Sequence, residues 1–201
     1  MTPELILRDL PMPIYTPRLV IKPPAAGMGK QFYEAKLESL TNLKEWMAWA
    51  HKESSIAIEE TNLRKQAAKF MMREDLMLIV FDHEGRLIGS TGFHYVNKLA
   101  TPVVHIGYWI RDSEGGKGYV TEWVNALTRY GFDVLGFKKI VIHCDSENKP
   151  SIAIPHRLGF EYEYTSKWGI EKPNSDEMRL LNVYSRFDTD GLPPLEVGWN
   201  K

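Results

Sequence analysis

The sequence predicts a single α/β domain of the α+β kind, with a mixed, mostly antiparallel sheet of about seven strands and about four flanking helices. Three observations predict this class. The 201 residues are 43% hydrophobic and 25% charged, a balance typical of one globular domain with a continuous core. Three consecutive strand-like segments precede a glycine-rich loop. After the loop, helical and strand-like segments alternate, so at least one strand pair beside it should be parallel.

The elements of the first half follow from apolar spacing and turn residues. Residues 18–24 form a short apolar strand that ends at two prolines. Residues 28–48 and 57–74 carry apolar side chains at three- and four-residue steps, which predicts two helices. Residues 76–82 and 87–96 predict a hairpin with a glycine in its turn, and residues 103–110 add a third strand.

The second half alternates between the two kinds of element. Residues 117–135 predict the central helix, residues 138–145 a buried β-rich strand, and residues 149–158 a short helix. Residues 160–168 and 177–187 alternate between polar and apolar positions, which predicts a final strand pair.

Charge and composition exclude several classes of function. Lys and Arg total 25 against 26 Asp and Glu, so the formal charge of −1 favours neither direct nucleic-acid binding nor an anionic membrane. The single cysteine, Cys144, cannot form an internal disulfide, and the first residues lack the basic and apolar segments of a signal peptide. No apolar run approaches the roughly 20 residues of a membrane span. The sequence therefore predicts a cytoplasmic protein, and no repeat or linker divides residues 1–201.

A glycine-rich loop, SEGGKG at residues 113–118, lies directly before the central helix. A bare backbone at a helix start is a ready anion site, because its N–H groups lack helical partners. A dinucleotide fingerprint does not fit, because Thr121 stands where its last glycine would be. A phosphate loop of the ATPase type does not fit either, because Gly118 follows Gly116-Lys117 where Ser or Thr is required. From the loop alone, a turn without a ligand stays open.

Two segments carry a family resemblance: GYWIRDSEGGKGYVTEWVNAL at residues 107–127 and NKPSIAIPHRLGF at residues 148–160. Together they resemble the Gcn5-related N-acetyltransferase (GNAT) superfamily, and within it the branch that acetylates the amino terminus of ribosomal proteins. Weaker matches at TPRL, EWMAW and LIGSTGFH extend the resemblance over roughly residues 15–187. The pair of motifs is specific, whereas each motif alone is weak.

The resemblance implies the GNAT acyl-CoA N-acyltransferase fold, whose sheet splays open at its centre, and acetyl-coenzyme A (acetyl-CoA) as co-substrate, with no metal. Loop amides of residues 113–118 would wrap the diphosphate, with Lys117 as a mobile charge beside it. Backbone groups of residues 107–110 would pair with the pantetheine arm and hold the oxyanion. The coenzyme-binding residues implied are Tyr108, Trp109, Ile110, Ser113, Glu114, Gly115, Gly116, Lys117, Gly118, Tyr119, Asn148 and Ser151. Ser113 stands where the family loop often has a basic or amide side chain.

The resemblance also implies an acid for the departing thiolate. Ser151 matches the serine that lies near the sulfur in the ribosomal branch, and Asn148 matches an asparagine near the pantetheine. A helix-capping role for Ser151 stays open. The tyrosine acid of many superfamily members is absent, because Pro155 occupies its position. Cys144 lies in a β-rich apolar run, where a core thiol is expected rather than an acyl carrier.

The base for the attacking amine has three candidates. His105 lies two residues before Gly107, where related sequences often carry Glu, and an imidazole can accept a proton near neutral pH, directly or through water. His94 on the preceding strand and Glu171 between the last two strands are the others.

An aromatic set is placed near the acceptor groove by the resemblance: Trp46, Trp49, Trp168 and Tyr164, with His94 as a further substrate contact. Tryptophans three residues apart on a helix are equally typical of a core. The preferred acceptor is the N-terminal amine of a ribosomal protein. A small-amine or antibiotic acetyltransferase on the same fold stays open, as do a coenzyme-binding regulatory module without catalysis and a homodimer.

Overall fold

The computed structural model describes residues 5–94, 102–167 and 178–200. Five α-helices lie within these residues: α1 (Gly29–Glu38), α2 (Leu40–Trp46), α3 (Ile56–Met71), α4 (Tyr119–Asp133) and α5 (Lys149–Arg157). The strands are β1 (Ile14–Tyr15), β2 (Leu19–Lys22), β3 (Leu76–Asp82), β4 (Leu87–His94), β5 (Val103–Ile110), β6 (Lys139–Asp145), β7 (Glu161–Ser166), β8 (Leu181–Arg186) and β9 (Gly198–Trp199).

One mixed sheet contains all of these strands, in the order β7-β8-β6-β5-β4-β3-β2-β1-β9. Every neighbouring pair for which a register is resolved is antiparallel except β5 and β6, which are parallel. The predicted α/β class, the mostly antiparallel sheet and the parallel crossover through the central helix are therefore confirmed. Gly85 has a φ of +83° in the β3–β4 turn, as the hairpin pattern requires.

Three sequence predictions about elements need correction. The helix predicted over residues 28–48 is two helices that meet at Ser39, where the backbone leaves the helical conformation (φ −100°, ψ 8°). The Ser39 hydroxyl donates to the Ala35 carbonyl at 2.9 Å and accepts from the Asp112 amide at 3.0 Å. The described strands number nine rather than seven, since β1 and β9 have two residues each and are too short to show a period. The break at Ser39 also raises the number of α-helices in the described residues from the predicted four to five. The predicted strand ends at 95–96, 168 and 177 lie outside the described residues.

The sheet splays at its centre. Residues Val103 to His105 of β5 pair with Lys139 to Val141 of β6, and no pairing between the two strands continues beyond them. The rest of β5 stays paired with β4, while the rest of β6 stays paired with β8. A wedge therefore opens between the second halves of β5 and β6, as the resemblance implied.

Helices cover both faces of the sheet. On one face α4 buries Trp123, Leu127 and Tyr130 completely, in a cluster that also takes residues of α5. On the other face Phe32 of α1 and Leu63 of α3 pack with Trp109 of β5 in a second cluster. Because successive side chains of a strand point to opposite faces, β5 presents one face of residues to each cluster.

Candidate functional site

A cleft of about 960 Å³ opens at the wedge. Its walls come from α2, the end of β5, the glycine loop, the first half of α4, one side of α5, and residues 193–195. It therefore joins the two motif segments that are separate in the sequence.

The glycine loop offers free backbone donors at the start of α4. Gly116 and Gly118 have φ values of +75° and +81°, a left-handed conformation that glycine adopts without strain. The amides of Gly116 to Thr121 donate no hydrogen bond within the described residues. Successive free N–H groups at a helix start can bind an anion, and the helix dipole adds to the attraction.

The first half of the loop is already engaged. The Ser113 amide donates to the Glu38 carboxylate at 3.1 Å, the Glu114 amide to the Arg111 carbonyl at 2.9 Å, and the Gly115 amide to the Asp112 carbonyl at 3.0 Å. The set of free donors thus begins at Gly116 and ends inside the helix. Relative to the prediction for residues 113–118, it is shifted along the chain by three residues.

The charges around the loop are paired. Lys117 Nζ lies 2.8 Å from a Glu114 carboxylate oxygen, and Arg86 donates to the other oxygen at 2.7 Å and to the Ser113 hydroxyl at 3.1 Å. Lys117, whose side chain is half exposed, is therefore paired with Glu114, and its contact with the phosphates stays a prediction. Arg86 brings a guanidinium to Ser113, where the sequence has no basic residue.

Arg18 directly precedes strand β2 and contacts the loop, and sequence analysis did not single it out. Its Nε donates to the buried Glu122 carboxylate at 2.6 Å, and its Nη1 donates to the Lys117 carbonyl at 2.9 Å. The guanidinium also lies 4.4 Å from the centre of the Tyr119 ring. Thr16 completes the arrangement by donating to Glu122 at 2.6 Å. The signal for this contact was the match of TPRL at residues 16–19, together with Thr121-Glu122 inside the matching segment of residues 107–127.

Arg157 is a further cation that sequence analysis missed. It is an exposed residue of the last turn of α5 and lines the cleft. No partner for its side chain is found in the part of the chain that the structure describes. It is available to an anionic ligand of the cleft.

Ser151, Tyr108 and Cys144 meet at the inner end of the cleft, on the α4 and α5 face. Ser151 Oγ lies 3.3 Å from Cys144 Sγ and 3.2 Å from the Tyr108 hydroxyl, which also donates to the Ser151 carbonyl at 3.1 Å. Burial raises the pKa of Tyr108 well above its usual range and also raises the pKa of Cys144. Both groups therefore hold their protons at neutral pH. Cys144 is 1% exposed, so it is a core thiol.

The cap of α5 is Asn148, whose side chain accepts from the Ser151 amide at 3.0 Å. Ser151 is therefore free of the capping role, and its hydroxyl lies in the cleft wall beside Tyr108. Pro155 lies inside α5 and brings no phenol to this point.

Histidines occupy the opposite face of the sheet. His94 Nδ1 lies 2.7 Å from an Asp75 carboxylate oxygen, and His94 is directly paired with His105 across β4 and β5. The His105 ring lies 4.6 Å from the His143 ring. Burial, followed by His143, His94 and Lys139, lowers the pKa of His105 to about 4. Its imidazole is neutral at pH 7 and binds a proton only weakly, which disfavours His105 as the base.

The predicted acceptor aromatics separate into different environments. Trp46 lines the cleft and lies 5.0 Å from the guanidinium of Arg179, which is itself 3.1 Å from Asp145 at the end of β6. Trp49 packs 6.2 Å from Trp109 in the second cluster and faces the buried Lys36. Trp49 is thus partly buried against that cluster and does not line the cleft. Tyr164 is 54% exposed on β7 and does not line the cleft, and Trp168 and Glu171 lie outside the described residues.

Comparisons with known proteins agree with this geometry. Residues 18–161 match the family model described as Acetyltransferase (GNAT) domain. The chain is 30% identical over 127 residues to the uncharacterized N-acetyltransferase p20 of Bacillus licheniformis, an alignment covering 63% of this chain and 65% of p20. It is 28% identical over 141 residues to the putative ribosomal N-acetyltransferase YdaF of Bacillus subtilis (strain 168), covering 68% and 74%.

Solved structures show the same fold. The microcin self-immunity acetyltransferase MccE, in complex with acetyl-CoA and AMP, gives a TM-score of 0.78 at 24% identity, over 86% of this chain and 93% of that one. RimL, a ribosomal alpha-N-protein acetyltransferase in complex with coenzyme A, gives 0.78 at 19% identity, over 87% and 96%. The chain belongs to the GNAT acetyltransferase family. It therefore stands among the acetyl-CoA-dependent N-acetyltransferases, as the two motifs implied.

Within the described residues, no group of three or more His, Cys, Asp and Glu side chains could hold a metal ion. No helix in the same residues has the length and apolar character needed to cross a membrane.

Proposed function

We propose that this protein transfers the acetyl group of acetyl-CoA to the N-terminal amine of a protein, with a ribosomal protein as the preferred acceptor. The observation that carries the proposal is the junction of the open wedge with the free amides of residues 116–121 in one continuous cleft. An extended thiol arm fits beside an unpaired strand edge, and a diphosphate fits at a helix start with free N–H groups.

Different parts of the cleft bind different parts of acetyl-CoA. At the outer end the free amides, with Arg157, receive the phosphates. In the wedge, the edge of β5 beyond His105 lacks a β6 partner, so it can pair with the arm and stabilise an oxyanion. At the inner end Ser151 and Tyr108 supply hydroxyl protons for a departing thiolate. Direct attack by the amine needs no covalent enzyme intermediate, which suits a buried Cys144.

A protein acceptor is supported by the names of the relative YdaF and of the structural neighbour RimL, which both refer to ribosomal acetylation.

The test uses thiol release from acetyl-CoA with purified protein. The acceptors are hexapeptides with a free N-terminal Ser, Ala or Met. Each is compared with a version in which the N-terminal amine is formylated and one internal lysine supplies the only free amine. The proposal expects thiol release and a mass increase of one acetyl group on the free peptides alone. Equal rates on the formylated peptides would make a side-chain amine the acceptor. If the protein binds acetyl-CoA but releases no thiol with any amine, it is a coenzyme-binding module without catalysis.

A further inference from the structure

A carboxylate and an imidazole form a pair on the face of the sheet opposite Ser151. Asp75 immediately precedes β3 and His94 ends β4, and the Asp75 Oδ1 to His94 Nδ1 distance is 2.7 Å. The side chains are 22% and 35% exposed, so the pair is partly shielded and still reaches solvent. With Nδ1–H donated to the carboxylate, Nε2 of the neutral ring is left as an acceptor.

The ring lies against β5 at the point where the wedge begins. A Cβ built at Gly107 would lie 3.1 Å from both His94 Nε2 and Cδ2, so the glycine is what lets the ring approach the strand. Gly107 is two residues beyond His105, the last β5 residue that pairs with β6. Nε2 is thus beside the first part of β5 that is free to hold a thioester.

Adjacent residues of a strand point to opposite faces, and this fixes what lies on each side. Tyr108 points to the α4 and α5 face, where it meets Ser151. Gly107, one residue earlier, faces the other side of the strand, where His94 lies. The proton donors for the leaving thiolate and the imidazole acceptor therefore lie on opposite faces of β5, beside the consecutive residues Tyr108 and Gly107.

We propose that His94 is the base that takes the proton from the attacking amine, and that Asp75 is a positioning residue that fixes its tautomer. The inference rests on the proposed function. His94 Nε2 first takes one proton from the bound ammonium, which leaves a neutral nitrogen that can attack. As it attacks, the C–N bond forms, the C–S bond breaks, and the nitrogen loses its second proton to solvent. The thiolate takes a proton from Ser151 or Tyr108, which regains one from solvent, and His94 releases its proton to solvent. The products are the amide, the free thiol and one proton.

The groups that face His94 are consistent with this role. Asp75 of the β3 side is the one carboxylate found against its ring in the described residues. His105 on β5 is the direct neighbour, and burial keeps it neutral at pH 7 by lowering its pKa. Beyond it, burial also lowers the pKa of His143 on β6, and Lys139 is paired with Glu163 at 2.6 Å. The negative charge of Asp75 is therefore the nearest one that can stabilise a protonated His94 ring.

The activity test compares wild type with His94→Gln and Asp75→Asn over pH 6 to 9.5, on the amine that wild type acetylates fastest. His94→Gln should lower kcat by about 100-fold at pH 7, and the deficit should shrink toward pH 9.5 because more of the amine is then already neutral. Asp75→Asn should show a smaller deficit of the same pH dependence. Calorimetry with acetyl-CoA should give wild-type affinity for both. A deficit that is the same at every pH, or no deficit, would overturn the proposal.

A second measurement does not depend on the acceptor. Nitrogen-15 NMR of labelled histidine, assigned by the signals lost in His94→Gln, should show neutral His94 with the proton on Nδ1. A proton on Nε2 would overturn the proposal, because that nitrogen could then accept nothing. If wild type acetylates no amine, the proposed function fails on the wild-type data alone, while the tautomer still decides whether Nε2 is available.

Discussion

Arg18 Nε lies 2.6 Å from the carboxylate of Glu122, which ties strand β2 to the first turn of α4. The same guanidinium donates to the Lys117 carbonyl, so it holds the loop that carries the free amides. A negatively charged residue in the first turn also suits the helix dipole. In the proposed function, the TPRL segment thereby contributes to coenzyme binding from about a hundred residues away along the chain, in keeping with the long-range contacts of a sheet fold.

Arg18→Gln should raise the KM for acetyl-CoA by about tenfold and leave the KM for the peptide unchanged, because it loosens the phosphate end of the cleft alone. With the acetyl thioester of N-acetylcysteamine, which has no phosphates, the variant should match wild type. The control is Arg64→Gln, an exposed arginine paired with Glu60 on α3. An equal loss with both thioesters would mean that Arg18 supports the fold and not the phosphate site.

Gly118→Ala should raise the KM for acetyl-CoA far more than the KM for the acceptor. The residue has a φ of +81° at the N-cap of α4, so a side chain both strains the backbone, by about 1 kcal/mol, and intrudes on the free amides. Gly27→Ala is the matched control, since its φ is +92° and a Cβ there has nothing within 4 Å. Both variants should lose similar stability by urea unfolding. Similar KM values for the two would indicate that the loop is only a turn.

Ser151→Ala should reduce kcat by roughly ten- to a thousandfold while the Kd for acetyl-CoA stays within about twofold, as expected for an interaction that strengthens in the transition state. Tyr108→Phe tests the second hydroxyl, which lies 3.2 Å from Ser151 Oγ. Ser185→Ala is the control, because Ser185 is buried in β8 and its hydroxyl has no partner among the described residues. Steady-state kinetics and calorimetry separate the two quantities. Wild-type kcat in both Ser151→Ala and Tyr108→Phe would remove the hydroxyls from the mechanism.

His105→Gln should change the pH dependence of stability and leave the acid limb of the activity profile in place. The folded-state pKa of His105 is lowered from 6.5 to about 4, so the unfolded chain binds the proton more readily. The stability that neutral His105 contributes is present above pH 6.5 and is lost as the pH falls toward 4. Urea unfolding between pH 7 and 4 should therefore be less pH-dependent in the variant. Loss of the acid limb would instead make His105 the base.

Much of the fold could be predicted from local pattern. The strand over residues 103–110 was predicted with its observed bounds, since its apolar residues and flanking turn are unambiguous. The break at Ser39 could not be predicted, because it is accompanied by a hydrogen bond to Asp112, 73 residues away. The two-residue strands β1 and β9 form only by pairing, and no period is visible in two residues.

The site shows the same division. The loop and Ser151 line the same cleft, as the two motifs predicted, because both lie on segments whose order the family fold implies. The sequence could not reveal that Ser113, Glu114 and Gly115 already use their amides, nor that Glu114 holds Lys117. It also could not separate Trp46 from Trp49, which share a helical spacing while facing the cleft and the core respectively. The pairing of His94 with Asp75 is a tertiary contact with no local signature.

The most direct test of the central claim is amide hydrogen exchange of the intact protein with and without saturating acetyl-CoA. If the wedge and the loop form the coenzyme site, residues 107–110 and 116–121 should become protected together, while α3, on the opposite face, should not change. Millimolar acetyl-CoA that produces no protection in either segment, or protection confined to another part of the chain, would contradict the assignment of this cleft.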